Sequence, residues 1–154
     1  QKKMSWTEAL SHRETWGFAI GKFLTDPVWW FYLYWVPPYL FDVRGMDLKQ
    51  IGWALPVIYL MADFGSVGGG WLSGFLIKRG WPNGKARKAA MGLCAGLMPV
   101  AALSVLADAP ALAIGLISIA TAAHQGWSAN LYTTASDVFP KAATASVTGR
   151  SPRR

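Results

Sequence analysis

Residues 51–77 read IGWALPVIYLMADFGSVGGGWLSGFLI, and Asp63 is the one charge they carry. Coiled as a helix at about 1.5 Å per residue, this stretch is about 40 Å long, more than the roughly 30 Å of hydrocarbon in a bilayer. Outward from it lie three further apolar stretches: Trp16 to Phe41, Ala89 to Ala107 with no charge, and Ala111 to Thr134 with neutral polar residues and His124. Length together with the near absence of charge predicts four transmembrane helices, since buried soluble helices rarely run so long unbroken. Turn residues separate them: Arg44-Gly45, then Gly80-Trp81-Pro82-Asn83-Gly84, then Asp108-Ala109-Pro110. The connections are short, as between neighbours in a bundle.

Composition points the same way. The 154 residues are 53% hydrophobic and 15% charged, with nine Trp; a soluble domain carries about 25% charged residues. Disorder, a secreted disulfide scaffold and a nucleic-acid-binding module are disfavoured. The lipid bilayer is the expected surrounding and no nucleic acid is an expected partner. Cys94, the single cysteine, has no ligand-spaced His or Asp and reads as helix filler. Gln1 to Arg13 lack the basic tip and short apolar run of a signal peptide.

The net charge of +7 is distributed by side. Lys2, Lys3 and Arg13 precede the first span, Lys78, Arg79, Lys85, Arg87 and Lys88 join the second to the third, and Lys141, Arg150, Arg153 and Arg154 follow the fourth. Cytoplasmic loops collect Lys and Arg, so both ends and the middle loop are expected in the cytoplasm. The chain divides into a linker over 1–15, the four-helix segment over 16–142, and the start of a truncated next helix with a basic tail over 143–154.

Lipid gives helices little apolar drive to associate, so small residues mark their contacts. The second span offers two rows, Ala62, Ser66, Gly70, Gly74 and beside it Gly65, Gly69, Ser73; the third offers Gly92 and Gly96. Pro27, Pro37, Pro38, Pro56 and Pro99 each remove a backbone donor inside or at the end of a span. Such breaks suit helices that bend around a polar cavity.

A charge inside a span costs about 2.5–3.5 kcal/mol on insertion scales and marks function by default. Lys22 and Asp26 are one turn apart on one face and can neutralise each other. They lie roughly 9 and 15 Å past Trp16, close to mid-membrane. Lys22 either snorkels to the interface or faces a wet cavity and holds an anion; Asp26 is its structural partner or a member of the site. Asp63 reads as an acid that bonds a neighbouring helix. On the fourth span Thr121, Gln125, Ser128 and Tyr132 share a face with His124 at its edge, while Asn130 points away from Gln125. That stripe either binds hydroxyls or joins helices, and Trp127 either stacks on a sugar ring or packs in the bundle. Catalytic sets, metal spacing and phosphate-cradling loops are lacking, so neither enzyme chemistry nor a cofactor is expected.

Three motifs resemble one family closely: Gly21-Lys22-Phe23-Leu24-Thr25-Asp26-Pro27-Val28-Trp29-Trp30-Phe31-Tyr32, Ala62-Asp63-Phe64-Gly65-Ser66-Val67-Gly68-Gly69-Gly70-Trp71-Leu72-Ser73, and Ala122-Ala123-His124-Gln125-Gly126-Trp127-Ser128-Ala129-Asn130-Leu131. From about Trp6 to Gly149 the chain is similar to the hexuronate transporters, in the anion:cation symporter branch of the major facilitator superfamily. The resemblance implies an all-α membrane protein whose four spans match helices seven to ten of twelve, part of the C-terminal six-helix half. The eleventh would begin near Ala143. It implies proton-coupled symport of galacturonate, glucuronate or a related sugar-acid anion across a bacterial inner membrane, with the N-terminal helices that carry the coupling acids missing here. By the same resemblance Lys22 meets the carboxylate, Asp26 orients it, and Gln125, Ser128 and Asn130 bind hydroxyls. Gly70 to Gly74 through Arg79 and Arg87-Lys88 is similar to the superfamily's basic loop signature, but with Gly74 where an acid is common. Arg150-Ser151-Pro152-Arg153-Arg154 departs from the family's glycine-rich continuation and reads as a truncated or frame-shifted end. The alternative is a small four-helix membrane protein with a structural or assembly role.

Overall fold

The computed structural model describes residues 10–138. The expected basic residues Lys2, Lys3, Lys141, Arg150, Arg153 and Arg154, and the helix expected near Ala143, lie outside the described residues. Within them the chain is four helices: α1 (Arg13–Pro38), α2 (Leu48–Lys78), α3 (Asn83–Leu97) and α4 (Pro110–Val138). The second and fourth expected spans fall within α2 and α4, the first runs from α1 into the turn after it, and the third divides between α3 and the 3-10 segment that follows it. Two, α2 and the stretch Asn83–Leu106, are long and apolar enough to cross a membrane by length and composition. The other two have 26 and 29 residues, about 39 and 43 Å, but Lys22 and Asp26 in one and Thr121, His124, Gln125 and Ser128 in the other dilute their apolarity.

Local chemistry explains where each helix starts and stops. Tandem prolines Pro37 and Pro38 close α1, and the chain widens into a π-helical turn over Tyr39–Val43. Gly45 then turns it with φ of 63°, a backbone state open to glycine at little cost. Asp47 begins α2 with a reciprocal cap: its carboxylate accepts from the Gln50 N–H at 2.7 Å, and the Gln50 side chain accepts from the Asp47 N–H at 3.0 Å. Gly80, with φ of 89°, ends it. Pro99 lacks the N–H that an α-helix needs, and α3 tightens into a 3-10 helix over Met98–Leu106.

At that tightened end Arg44 adds donors to two carbonyls, of which Ser104 also accepts from the Ala107 N–H. Its guanidinium donates to the Ala107 carbonyl at 2.5 Å, to the Ser104 carbonyl, and to the Tyr39 hydroxyl at 2.9 Å. At the other end Arg87 of α3 pairs with Asp137 of α4 at 2.5 Å and donates to Ser73 of α2 at 3.3 Å. One arginine thus closes each end of the bundle.

Packing centres on α4. Gly65 and Gly69 of α2 face Ala122 and Gly126 of α4, and the contacts advance together along both helices, so these two run parallel. A Cβ on Gly69 would sit 2.5 Å from the Gly126 Cα, and one on Gly65 would strike the Ala122 backbone. Of the two small-residue rows on α2, this is therefore the one in contact. Gly70 and Gly74, and Gly92 and Gly96 of α3, have nothing within 4 Å of an added Cβ. Cys94 of α3 fills space beside Gly126. A separate apolar cluster of Val36, Leu40, Met46, Ile51, Ile58 and Ile117 joins the outer end of α1 to α2 and α4.

Candidate functional site

One stripe of α1 faces α4. Phe18, Lys22, Thr25 and Trp29 recur at three- and four-residue spacing, which stacks them along one side of a helix. They meet Tyr132 and His124, with contacts running in opposite directions along the two helices, so α1 is antiparallel to α4. Phe18 meets the Tyr132 ring edge-on at 5.7 Å. The Lys22 ammonium lies over the same ring, 4.7 Å from its centroid, a cation–π contact. Gly21 lets the helices approach: an added Cβ would already touch Leu131 and Trp127 at 3.4 Å.

Lys22 and Asp26 form an ion pair of 2.5 Å one turn apart. One turn further His124, 2% exposed, reaches across to the Thr25 carbonyl at 2.8 Å. A carbonyl only accepts, so Nε2 carries the proton and donates. Trp29 stacks on the imidazole at 5.9 Å with the rings 16° apart and meets Tyr59 of α2 edge-on. The Nδ1 of His124 and the Oδ1 of Asn130 are buried side-chain atoms that lack a hydrogen-bond partner among the described residues.

The residues expected on α4 separate into two groups. Gln125 is half-buried and Ser128 is buried at 9% exposure, on the face that ends at the 42% exposed Tyr132. Thr121 is fully buried and donates to the Ser118 carbonyl of its own helix at 3.0 Å. Asn130 is fully buried in the seam with α2, its amide donating to the Gly69 and Gly126 carbonyls at 2.8 and 2.9 Å. The structure therefore brings Lys22 and Asp26 together and sets Asn130 on another side of α4. Asp63 is on an exposed face of α2.

The sequence places Tyr132 on the polar face but not beneath the ammonium, and it does not single out Thr25 or Trp29. The signal is there in part: positions 18, 22, 25 and 29 form a helical stripe, yet only a known neighbour tells that the stripe faces α4. A cleft of 480 Å³ opens elsewhere, lined by Phe31, Tyr32, Trp35, Val36, Ala102 and Ile117 among others. None of its lining residues is a cation that could hold a carboxylate.

Four helices joined by short turns, with two stretches long and apolar enough to cross a membrane, fit a polytopic membrane protein. The family profile described as Major Facilitator Superfamily matches residues 1–150. The chain belongs to that superfamily. It is 36% identical over 150 residues to the hexuronate transporter of Escherichia coli strain K12, covering 96% of this chain and 34% of the relative. It is 35% identical over 71 residues to the galacturonate transporter of Dickeya chrysanthemi, 46% of this chain and 21% of the relative. It is 34% identical over 77 residues to the D-galactonate transporter of Escherichia coli O6:H1, 50% of this chain and 18% of the relative. The chain thus spans about a third of the length of the hexuronate transporter it matches along nearly all of its own. No solved structure matches.

Proposed function

We propose that this chain supplies substrate-binding helices of a proton-coupled hexuronate importer in a bacterial inner membrane, with both termini cytoplasmic. It works with helices that the relatives carry outside the matched third, because alternating access needs two halves that rock about a central site. The observation that carries the reading is an ammonium held at membrane depth between α1 and α4, resting on Tyr132 and paired with Asp26. A half-buried cation inside a span is costly unless it is paired, and a sugar-acid carboxylate is a matching partner.

In this reading Lys22 receives the carboxylate, and Asp26 is the partner that keeps its ammonium paired. Gln125 and Ser128 are within the face that meets hydroxyls, and Trp127 offers a ring for the apolar side of the sugar. Asn130 acts from behind, holding α4 to α2. The lopsided Lys and Arg count supports the orientation.

Exchanging the matching third of the Escherichia coli hexuronate transporter for this chain tests it. The exchanged protein is expected to take labelled galacturonate or glucuronate into vesicles when an inward proton gradient is applied. Lys22→Ala should lower uptake about 10- to 100-fold, the worth of one charge-assisted hydrogen bond, with membrane insertion unchanged. Parent-level uptake by Lys22→Ala would remove Lys22 from the site, and uptake driven only by a sodium gradient would remove the proton.

A further inference from the structure

The ammonium assigned to the substrate already holds a carboxylate. Lys22 Nζ lies 2.5 Å from Asp26 Oδ1, and another side of it rests on the Tyr132 ring. Asp26 is the more open partner, its side chain 46% exposed against 20% for Lys22. A ligand arriving from the open side therefore meets the acid before the base. Two opposite charges this close make a near-neutral dipole, and their pulls on a third charge largely cancel beyond a few ångströms. A free anion gains little from such a pair while it stays closed.

Resting on the site reading above, we propose that Asp26 is a built-in competitor of the substrate: its carboxylate and that of the sugar acid take turns on the Lys22 ammonium. Asp26 is tethered one turn away on the same helix, about 6 Å along the axis. It therefore returns as soon as the ligand loosens, at the high effective concentration of a tethered group. Exchange of one carboxylate for another keeps the half-buried cation paired throughout, which avoids the cost of a bare charge inside a span. The α1–α4 contact holds the pair in place for this. His124 fixes the Thr25 carbonyl, the residue just before Asp26, and the Tyr132 ring lies against the ammonium. The device sets affinity at a moderate level and speeds release.

An orienting acid and a competing acid predict opposite signs. In the exchanged transporter, half-saturation and turnover are measured by equilibrium exchange at one fixed pH, where no gradient drives transport. Galacturonate is compared with its uncharged methyl ester. Asp26→Asn is expected to lower the half-saturation for galacturonate about tenfold and to slow turnover, with the ester unmoved; Asp26→Glu, which keeps the carboxylate, should stay close to the parent. A higher half-saturation for galacturonate in Asp26→Asn, or an equal change for acid and ester, overturns the proposal. If Asp26→Asn does not reach the membrane, Asp26→Ser is read in the same way, and loss of both also overturns it by making Asp26 a folding residue. Lys22→Gln separates the two levels. Unchanged galacturonate half-saturation there overturns the site reading itself, whereas its loss together with weaker binding by Asp26→Asn removes only the competition.

Discussion

Helix α4 is held in two different ways on two of its sides. Toward α2 the contact is backbone on backbone: Gly65 and Gly69 leave no room for a Cβ against Ala122 and Gly126, and Asn130 bonds carbonyls on both helices. Toward α1 it is made of side chains: Lys22 and Phe18 on Tyr132, Trp29 on His124, and one hydrogen bond to Thr25. Touching backbones have one register and little freedom, whereas long side chains can change rotamer while their helices slide. The ion pair sits on the second kind of contact. In the proposed reading the ligand groups therefore lie on the side-chain contact, and the backbone seam supplies the rigidity.

The largest effect should come from filling the rigid side. Gly69→Val puts atoms where Gly126 backbone already is, and backbone cannot step aside. Its cost is expected at or above the top of the about 1–3 kcal/mol range for overpacking. Gly68→Val, one residue away with nothing within 4 Å of an added Cβ, should change stability by less than about 0.5 kcal/mol. Melting of the two purified variants in detergent, followed by Trp fluorescence, checks the contrast; equal melting would erase the distinction between the two sides. Asn130→Leu comes next. It loses two hydrogen bonds but also removes the partnerless Oδ1, so the net loss should be about 1 kcal/mol, within the range measured for interhelical bonds in membranes. A loss as large as that of Gly69→Val would mean that the amide, not the glycines, holds the seam.

Much of this division is legible in the amino-acid sequence, and the part that is not has a physical reason. The apolar lengths, Pro37, Pro38, Pro99 and Gly80 mark where helices run and stop, because those are local properties of the chain, whereas Pro27 and Pro56 lie inside uninterrupted helices. The glycine rows announce a close contact on α2. They do not say which row makes it: Gly65 and Gly69 on one side and Gly70 and Gly74 on the other have the same spacing, and the choice depends on where α4 lies. Asn130 shows the same limit. Its helical angle separates it from Gln125, but an amide that bonds a sugar hydroxyl and one that bonds a glycine carbonyl look alike in sequence. Lys22 and Asp26 stand out because charge at membrane depth is rare and their spacing is self-sufficient. Tyr132 beneath them is harder to see, since a cation–π contact between helices leaves no mark in either helix alone. Arg44 is a similar case: by sequence it is a loop charge, and its use becomes plain only where the fold sets it against the Ser104 and Ala107 carbonyls at the end of the 3-10 helix.

The smallest expected effect on stability is also the one that best tests the mobile side. His124 joins α4 to α1 by a single hydrogen bond, and its Nδ1 has no partner among the described residues. His124→Leu therefore gives up one interhelical bond, about 0.6 kcal/mol on average in a membrane, and relieves one buried unsatisfied atom, so melting should barely move. Function should move more, because the bond it removes lands on Thr25, between the two charges of the ion pair. Once α1 can turn or slide there, the ammonium no longer has a fixed place, and half-saturation for galacturonate in the exchanged transporter should rise roughly three- to tenfold. His124→Gln can still extend a donor toward the Thr25 carbonyl and should recover part of that loss. If instead His124→Leu melts as early as Gly69→Val, the α1 contact is as structural as the glycine seam, and the division between a rigid and a mobile side of α4 fails.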